Sequence, residues 1–381
     1  MNRGNGDGRG GVNLPALRGH NEALLLDLLR GAGPGGLGRA ELAARTGLTP
    51  QAVGKITARL GAEGLVAEAG RAASTGGKPR TLYRLVPEAR HAVGVHLDRD
   101  ELRAVRVDLA GAIVAESGGP LDFGAGPEPV ARAVVREVAR VCDPAGPRLL
   151  GVGVAAPGPL DHRAGVMGRV TGFPQWEGFP LREVLEGRLG LPVLVDKDTN
   201  AGAAVAGLGG GVGAVPGAGC GVGVGVGVGV GVGPGTSVYL HVGTGLGAGL
   251  WLGGEVYRGA RSAAGEFGHQ VLRLDGPPCR CGARGCAEAL CLAAVARGDL
   301  PEAARILGEG AANLVALLDV DRVVLGGRVV TAAPEVFVGG VRGVLAARAL
   351  TAAPAVVGVA SAGVAEGAAE LVLAPFFGRA G

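Results

Sequence analysis

The chain has 381 residues, a formal net charge of +3 and six cysteines. This length predicts more than one domain, with a core large enough to need no metal staple for overall stability. The opening residues, MNRGNGDGRGG, are polar and glycine-rich without an apolar stretch. They argue against a secretory signal, so we expect a cytoplasmic protein with reduced thiols and no membrane partner.

Positive charge is concentrated in the N-terminal part of the chain. Residues 1–90 carry 13 Lys/Arg against 7 Asp/Glu, whereas the rest carries 24 against 27. A basic segment of this kind is typical of a nucleic-acid-binding module. Ordinary surface charge gives a similar balance, so charge alone does not decide the matter.

Residues 1–17 are predicted to form a disordered tail, and residues 18–88 a small helical domain. An apolar helix is expected over about residues 20–30, followed by two helices around a turn at Gly47. Thr49 is a candidate N-cap with Pro50 at the first helical position. Two short strands then flank a basic tip at residues 71–80. This order predicts a winged helix-turn-helix.

The second helix of this unit presents polar and basic side chains on one face. Glutamine addresses adenine edges, lysine and arginine suit guanine or phosphate, and basic residues of the wing reach phosphate or a minor groove. A protein-docking module is the alternative. The residues predicted to contact operator DNA are Thr49, Gln51, Ala52, Lys55, Arg59, Lys78 and Arg80.

From residue 89 to residue 381 the pattern changes to alternating strands and helices. A hairpin is expected over residues 91–111, a helix near 129–141, and further strands within 149–159, 191–196, 237–245 and 321–327. This alternation predicts an α/β fold with covered sheets. Residues 207–235 are almost pure Gly and Val, and we interpret them as a low-complexity loop insertion. Alternate glycines make a membrane helix a poor alternative.

A cluster of one histidine and three cysteines follows. His269 precedes Cys279, Cys281 and Cys286, and Gly282 lets the intervening loop curl. One imidazole and three thiolates suit tetrahedral Zn²⁺. A disulfide explains an odd set of three clustered thiols poorly. The spacing therefore predicts a structural zinc site.

Several motifs taken together resemble the ROK family (repressors, open reading frames and sugar kinases), in particular its xylose- and N-acetylglucosamine-repressor branch. The resemblance runs from about residue 18 to nearly the end of the chain. It implies an actin-like, hexokinase-type pair of α/β lobes with a cleft between them, preceded by the winged helix. The motifs are GVGVAAPGPLD (151–161), WEGFPLR (176–182), VDKDTN (195–200), VGTGLGAG (242–249), GEFGH (265–269), CRCGARGCAE (279–288) and VLGG (324–327).

The resemblance also implies roles for individual residues. Asp198 matches the general base of the kinases, here a vestigial position without a catalytic role. His269 is expected to bind sugar through one ring nitrogen and zinc through the other. The residues that the resemblance assigns to sugar binding are Lys197, Asp198, Glu266, His269 and Glu288.

Two departures from the family pattern bear on function. Kinases of the family carry a D-x-G-G-T phosphate loop where this chain has His96 to Asp100, and carboxylates at Asp98 and Asp100 would repel a triphosphate. Lys197 replaces the usual Asn, and it offers only donors and a charge. Three alternatives are open for the Lys197 side chain: it pairs with Asp198, it favours an acidic or phosphorylated ligand, or it points away from the cleft.

The sequence therefore predicts a sugar-responsive DNA-binding transcriptional regulator, a repressor of carbohydrate-metabolism genes acting as a homodimer or homotetramer on double-stranded operator DNA. It is predicted not to be an enzyme. One alternative is a sugar kinase that phosphorylates a hexose with ATP and carries an accessory DNA-binding domain. Another is a degenerate protein that binds DNA and senses nothing.

Overall fold

The structure is a computed structural model that describes residues 14–71, 80–143, 145–207, 235–349 and 355–379. Contacts divide the chain into two compact units. Unit 1 comprises Met1–Ala89 with Phe376–Gly378, and unit 2 comprises Arg90–Pro375 with Arg379–Gly381. Most of the predicted Gly/Val insertion lies outside the described residues.

Unit 1 combines three helices with a small antiparallel sheet of strand order β1-β3-β2. Its elements are α1 (Leu14–Ala32), β1 (Leu37–Gly38), α2 (Arg39–Thr46), α3 (Pro50–Ala62), β2 (Val66–Arg71) and β3 (Thr81–Leu85). Helix α1 begins at Leu14, so the last residues of the predicted disordered tail are helical. The sequence expectation started too late because Pro15 was not recognised as compatible with a first helical turn.

The turn between α2 and α3 forms for local reasons. Gly47 adopts a left-handed conformation with φ of 71°, which ends α2. The Thr49 hydroxyl accepts the Ala52 N–H at 3.2 Å, and Pro50 opens α3, as the sequence predicts. The two helices pack through buried Leu42, Val53 and Leu60.

Unit 2 is a mixed α/β structure with two five-stranded sheets, as predicted. The first has the order β10-β7-β4-β5-β6, with β4, β7 and β10 parallel. We call it lobe 1. Its strands and helices are β4 (His91–Leu97), β5 (Glu101–Asp108), β6 (Ile113–Pro120), α4 (Pro127–Val141), β7 (Leu149–Ala156), β8 (Leu160–Asp161), β9 (Val166–Met167), α5 (Leu181–Leu189), β10 (Val193–Lys197) and α6 (Asp198–Gly207).

The second sheet has the order β13-β12-β11-β14-β15, and we call it lobe 2. Helices α8 and α10 pack in the core on this side. The elements are β11 (Ser237–Val242), β12 (Leu246–Leu252), β13 (Glu255–Val256), α7 (Ala287–Ala296), α8 (Leu300–Leu318), β14 (Arg322–Gly326), α9 (Arg328–Ala332), α10 (Pro334–Ala347) and β15 (Val356–Val359). The chain then returns to lobe 1, where α11 (Val364–Leu373) packs on β4 and β7.

Glycines set the close approach of helices to the sheets. A Cβ at Gly94 of β4 would collide with the carbonyl oxygen of Ala365 in α11. A Cβ at Gly249 of β12 would likewise meet the carbonyl of Thr199 in α6. Helices α6 and α11 also contact each other. Because α6 begins at Asp198, this tight packing fixes the start of α6 beside both sheets.

No helix of the described segments combines the length and apolar character that a membrane crossing requires.

Candidate functional site

A cleft of unit 2 lies between the two lobes. It encloses about 690 Å³ of space that is partly open to solvent. Lobe 1 contributes the turn after β4, the loop after β7 and the end of β10. Lobe 2 contributes the β11–β12 turn, residues 265–269 and the first turn of α7. The structure brings all five residues predicted to bind sugar into this cleft: Lys197, Asp198, Glu266, His269 and Glu288.

Lys197 ends β10, and its side chain is only 3% exposed. Its Nζ donates to Glu266 Oε1 at 3.2 Å and also to the carbonyl oxygen of Ala264. The hydrogen-bond partner of Lys197 is thus Glu266, not Asp198. The lysine bridges the lobes and engages one oxygen, Oε1, of the Glu266 carboxylate.

Asp198 begins α6 at the floor of the cleft. Burial raises the pKa of this carboxyl, although His241 and the Thr199 N–H favour its ionised form. The Thr199 N–H donates to Asp198 Oδ1 at 2.6 Å. The oxygens of the Asp198 carboxyl can accept hydrogen bonds from a ligand hydroxyl in the cleft.

Glu288 stands in the first turn of α7 and is buried. Its Oε2 accepts the Leu246 N–H at 3.0 Å, which ties α7 to the start of β12. Gly245 passes beside this oxygen, since a Cβ there would lie 3.2 Å from it. Glu288 also lines the cleft.

A buried ion pair supports the cleft from below. Asp196 of β10 holds Arg258 at 2.7 Å, and the two side chains are 2% and 11% exposed. The Asp196 carboxylate also accepts from Asn200 Nδ2 at 2.7 Å and from the Lys197 N–H at 2.8 Å. This network fixes the end of β10 against lobe 2, because Arg258 follows β13. The sequence analysis missed it, since nothing local links the two positions.

The four predicted metal ligands converge. The ligand atoms of His269, Cys279, Cys281 and Cys286 all lie within 4.8 Å of one another. His269 Nδ1 is 3.8 Å from Cys279 Sγ, and Cys281 Sγ is 3.7 Å from Cys286 Sγ. One imidazole and three thiols at these separations match the ligand set and size of a tetrahedral metal site. The other ring nitrogen, Nε2, remains for the cleft that His269 also lines.

The turn between β4 and β5 is engaged with lobe 2. Thr244 Oγ1 donates to Asp98 Oδ1 at 2.5 Å, and Arg328 Nη2 donates to both oxygens of Asp100 at 2.8 Å. Arg99 Nη1 donates to the Thr244 carbonyl at 3.3 Å. The sequence analysis recognised the carboxylates and missed their partners Thr244 and Arg328.

Two histidines meet behind this turn. His96 is the penultimate residue of β4 and His241 lies on β11, with ring centroids 6.0 Å apart in an edge-to-face arrangement. Burial and the neighbouring His241 lower the pKa of His96 to about 3. Its Nε2 is buried without a hydrogen-bond partner among the described residues. His96 therefore stays neutral at physiological pH.

In unit 1 the predicted DNA-contacting residues Thr49, Gln51, Ala52, Lys55 and Arg59 lie on α3 or cap it, whereas Arg80 precedes β3. Gln51 and Lys55 are exposed one turn apart, Ala52 is half-buried, and Arg80 is exposed. Arg59 forms an ion pair with Glu22 of α1 and keeps 42% of its side chain exposed. Lys78 lies outside the described residues. A shallow groove runs past Arg39, Gln51 and Lys55.

Comparison with known proteins identifies the family of this chain. The profile described as the ROK family matches residues 93–235 and 232–297, more than half of the chain. The chain belongs to the ROK family. It is similar to a putative xylose repressor of Caldicellulosiruptor sp. (strain Rt8B.4), with 26% identity over 66% of this chain and 59% of that protein. It is also similar to the DNA-binding transcriptional dual regulator NagC of Escherichia coli (strain K12), with 28% identity over 71% and 62%.

The region of this ROK chain that matches these relatives covers about three fifths of the length of each relative. Among solved structures, a ROK family transcriptional regulator described as a homologue of the E. coli MLC protein aligns with a TM-score of 0.71. Its identity is 19%, over 95% of this chain and 97% of that one, so the likeness concerns the fold. A ROK hexokinase from Thermus thermophilus aligns with a TM-score of 0.54 and 31% identity over 74% and 97%.

Proposed function

We propose that this protein is a sugar-responsive, DNA-binding transcriptional regulator, and specifically a repressor of carbohydrate-metabolism genes. The observation that carries the proposal is the convergence of Lys197, Asp198, Glu266, His269 and Glu288 on one cleft. Three carboxyl groups, an imidazole and an ammonium supply paired donors and acceptors to neighbouring hydroxyls of a polyol. The relatives named as repressors support the same assignment.

Unit 1 is the DNA-binding part in this proposal, a winged helix-turn-helix at residues 18–88, with the sensing domain at residues 89–381. Helix α3 would enter the major groove and place Gln51 and Lys55 at base edges. Thr49 and the Ala52 N–H would then lie near the sugar-phosphate backbone of the DNA. Lys78 and Arg80 of the wing would contact phosphate or the minor groove. Arg59 would reach the DNA only if it leaves Glu22.

Zn²⁺ is the metal that the donor set fits best, held by His269, Cys279, Cys281 and Cys286. Bound there, it would close the loop of residues 279–286 and orient the His269 imidazole toward the cleft. Its role is structural, because all four positions are taken by protein ligands and none remains for a reacting group.

The signal would travel by linkage. A sugar that closes the cleft favours one lobe arrangement, and this changes the spacing of two winged helices in a homodimer or homotetramer acting in the cytoplasm. Operator affinity then changes by the ratio of the sugar's affinities for the two arrangements.

Gel-shift titration with operator DNA tests the first half of the proposal, and calorimetry with a panel of neutral and acidic sugars tests the second. DNA binding that is specific, together with saturable heat from at least one sugar, is expected. A chain that binds no DNA under any ligand condition refutes the regulator. A chain that binds DNA and gives no heat with any sugar is the degenerate binder.

The competing function is a sugar kinase. It is suggested by the similarity to the ROK hexokinase and to a glucokinase of Thermotoga maritima, which is 31% identical over 53% of this chain. The observation against it is that Asp98 and Asp100 stand where a phosphate loop would be and already bind Thr244 and Arg328. We expect a coupled ATPase assay to show no sugar-dependent turnover, and such turnover would overturn the preference.

A further inference from the structure

The three-residue turn between β4 and β5 carries side chains from lobe 1 into contact with lobe 2. The hydroxyl of Thr244, in the β11–β12 turn, donates to Asp98, and Arg328, the first residue of α9, donates to Asp100. Arg328 Nη2 also lies 3.7 Å from Asp98 Oδ2. Arg328 therefore contacts both carboxylates and Thr244 contacts Asp98, and both partners belong to the opposite lobe.

The partners are of the kind that bind oxyanions. A threonine hydroxyl, an arginine guanidinium and a backbone N–H converge on the carboxylate oxygens, the N–H being that of Arg99, which donates to Asp98 Oδ1 at 2.7 Å. The guanidinium of Arg99 stands at the same turn, donating to the Thr244 carbonyl. These donors form an anion-binding site, and the anions that occupy it are the carboxylates of Asp98 and Asp100.

The turn is rigidly held by lobe 1. The Asp98 N–H donates to the Glu101 carbonyl at 2.9 Å. The carbonyls of Arg99 and Asp100 accept from the N–H groups of Phe123 and Leu121 at 3.0 and 2.9 Å. Because the backbone cannot follow lobe 2 freely, the side-chain contacts must break if the lobes separate at this end.

The balance of charge favours the internal ligand over an external one. Asp98 is 13% exposed, and its carboxylate is ionised in spite of burial because Thr244 and the Arg99 N–H stabilise it and lower its pKa. A phosphate entering the site would meet two like charges within contact distance. It would have to displace both carboxylates before it reached Thr244 or Arg328.

We propose that Asp98 and Asp100 are built-in ligands of a latent phosphate site formed by Thr244, Arg328 and the Arg99 N–H. They shut phosphate groups out of this end of the cleft and hold the two lobes together without a nucleotide. Removing both carboxylates should therefore uncover a site that binds inorganic polyphosphate.

The experiment uses the full-length protein and tripolyphosphate as the probe, with binding measured by isothermal titration calorimetry. The test variant is D98A/D100A. The control is E177A/E183A, which removes two exposed carboxylates of lobe 1 and the same net charge. The variant D98A/D100A/R328A removes the main donor of the site as well.

We expect D98A/D100A to bind tripolyphosphate at least about tenfold more tightly than the wild type, a change of about 1.4 kcal/mol. The control should match the wild type, and the triple variant should lose the gain. Equal binding by wild type and D98A/D100A overturns the proposal. So does a gain that the control reproduces, or one that survives loss of Arg328, because the anion then binds elsewhere.

Should the alanine variant fail to fold, D98N/D100N takes its place. It keeps side-chain volume and an acceptor for Thr244 while removing both charges, so we expect a smaller gain, about threefold, by the same charge argument. No gain in this folded variant also refutes the proposal. The outcome does not depend on whether the cleft binds sugar, which is measured separately.

Discussion

The buried imidazole of His96 makes the stability of unit 2 depend on pH. Its pKa in the folded protein is about 3, set first by burial and then by His241 and the cations Arg103 and Arg328, with Asp98 acting in the opposite direction. In the unfolded chain a histidine titrates near 6.5. The unfolded chain therefore binds more protons between these values, so stability is complete above about pH 6.5 and falls as the pH drops toward 3.

The magnitude follows from the two pKa values. At pH 5 the unfolded imidazole is almost fully protonated and the folded one is not, which costs about 2 kcal/mol relative to pH 7.5. A shift of the folded pKa by one unit hardly changes this figure, because pH 5 lies above it in either case. His96→Gln keeps a neutral polar side chain and removes the titration.

Urea unfolding followed by tryptophan fluorescence is the assay, since Trp176 and Trp251 both lie in unit 2. The wild type should lose about 2 kcal/mol more than His96→Gln between pH 7.5 and pH 5. If both proteins lose the same amount within about 0.5 kcal/mol, the imidazole is not buried as the structure has it, and the reasoning is refuted.

Four further predictions test other parts of the account. Lys197→Asn frees Glu266 and restores a donor and an acceptor, so calorimetry should show about three- to tenfold tighter binding of a neutral sugar, and weaker binding would contradict this. Asp196→Ala takes the carboxylate from the buried Arg258 pair and should cost about 3–5 kcal/mol in urea unfolding, whereas a cost below about 1 kcal/mol would show that the pair is not buried. Cys281→Ser should lower the bound zinc measured by mass spectrometry and weaken the sugar response, while the isolated winged helix keeps its DNA affinity; unchanged zinc content would exclude the assigned ligand set. Lys55→Ala should reduce the slope of log affinity against log salt by about one if it contacts a phosphate, and should relax sequence preference instead if it reads a base.

Features that depend on neighbouring residues could be predicted from the sequence. The Gly47 turn, the Thr49 cap and the spacing of the cysteines each rest on neighbouring residues, and the structure places them as expected. The mixed α/β architecture follows from the alternation of strands and helices, its division into two sheets was implied by the family resemblance, and both are confirmed.

Contacts between segments that are distant in the chain could not be predicted from the sequence. Asp98 and Thr244 are 146 residues apart, and Asp100 and Arg328 are 228 apart, so no local pattern announces their pairing. The VGTGLGAG motif was recognised only as part of the family pattern, and its residues 246–249 begin β12, where glycine admits α6 at close range. The roles of individual DNA- and sugar-contacting residues stay predictions.

The central claim is that sugar binding in the cleft alters DNA binding by unit 1, and one linkage measurement tests it directly. Operator affinity of the full-length protein is titrated by gel shift at fixed salt, with and without each saturating sugar, for the wild type and for Glu288→Gln. We expect one sugar to change wild-type affinity by at least about fivefold and to leave that of Glu288→Gln unchanged. If the wild type binds both the operator and a sugar, yet neither affinity depends on the other ligand, the account is contradicted.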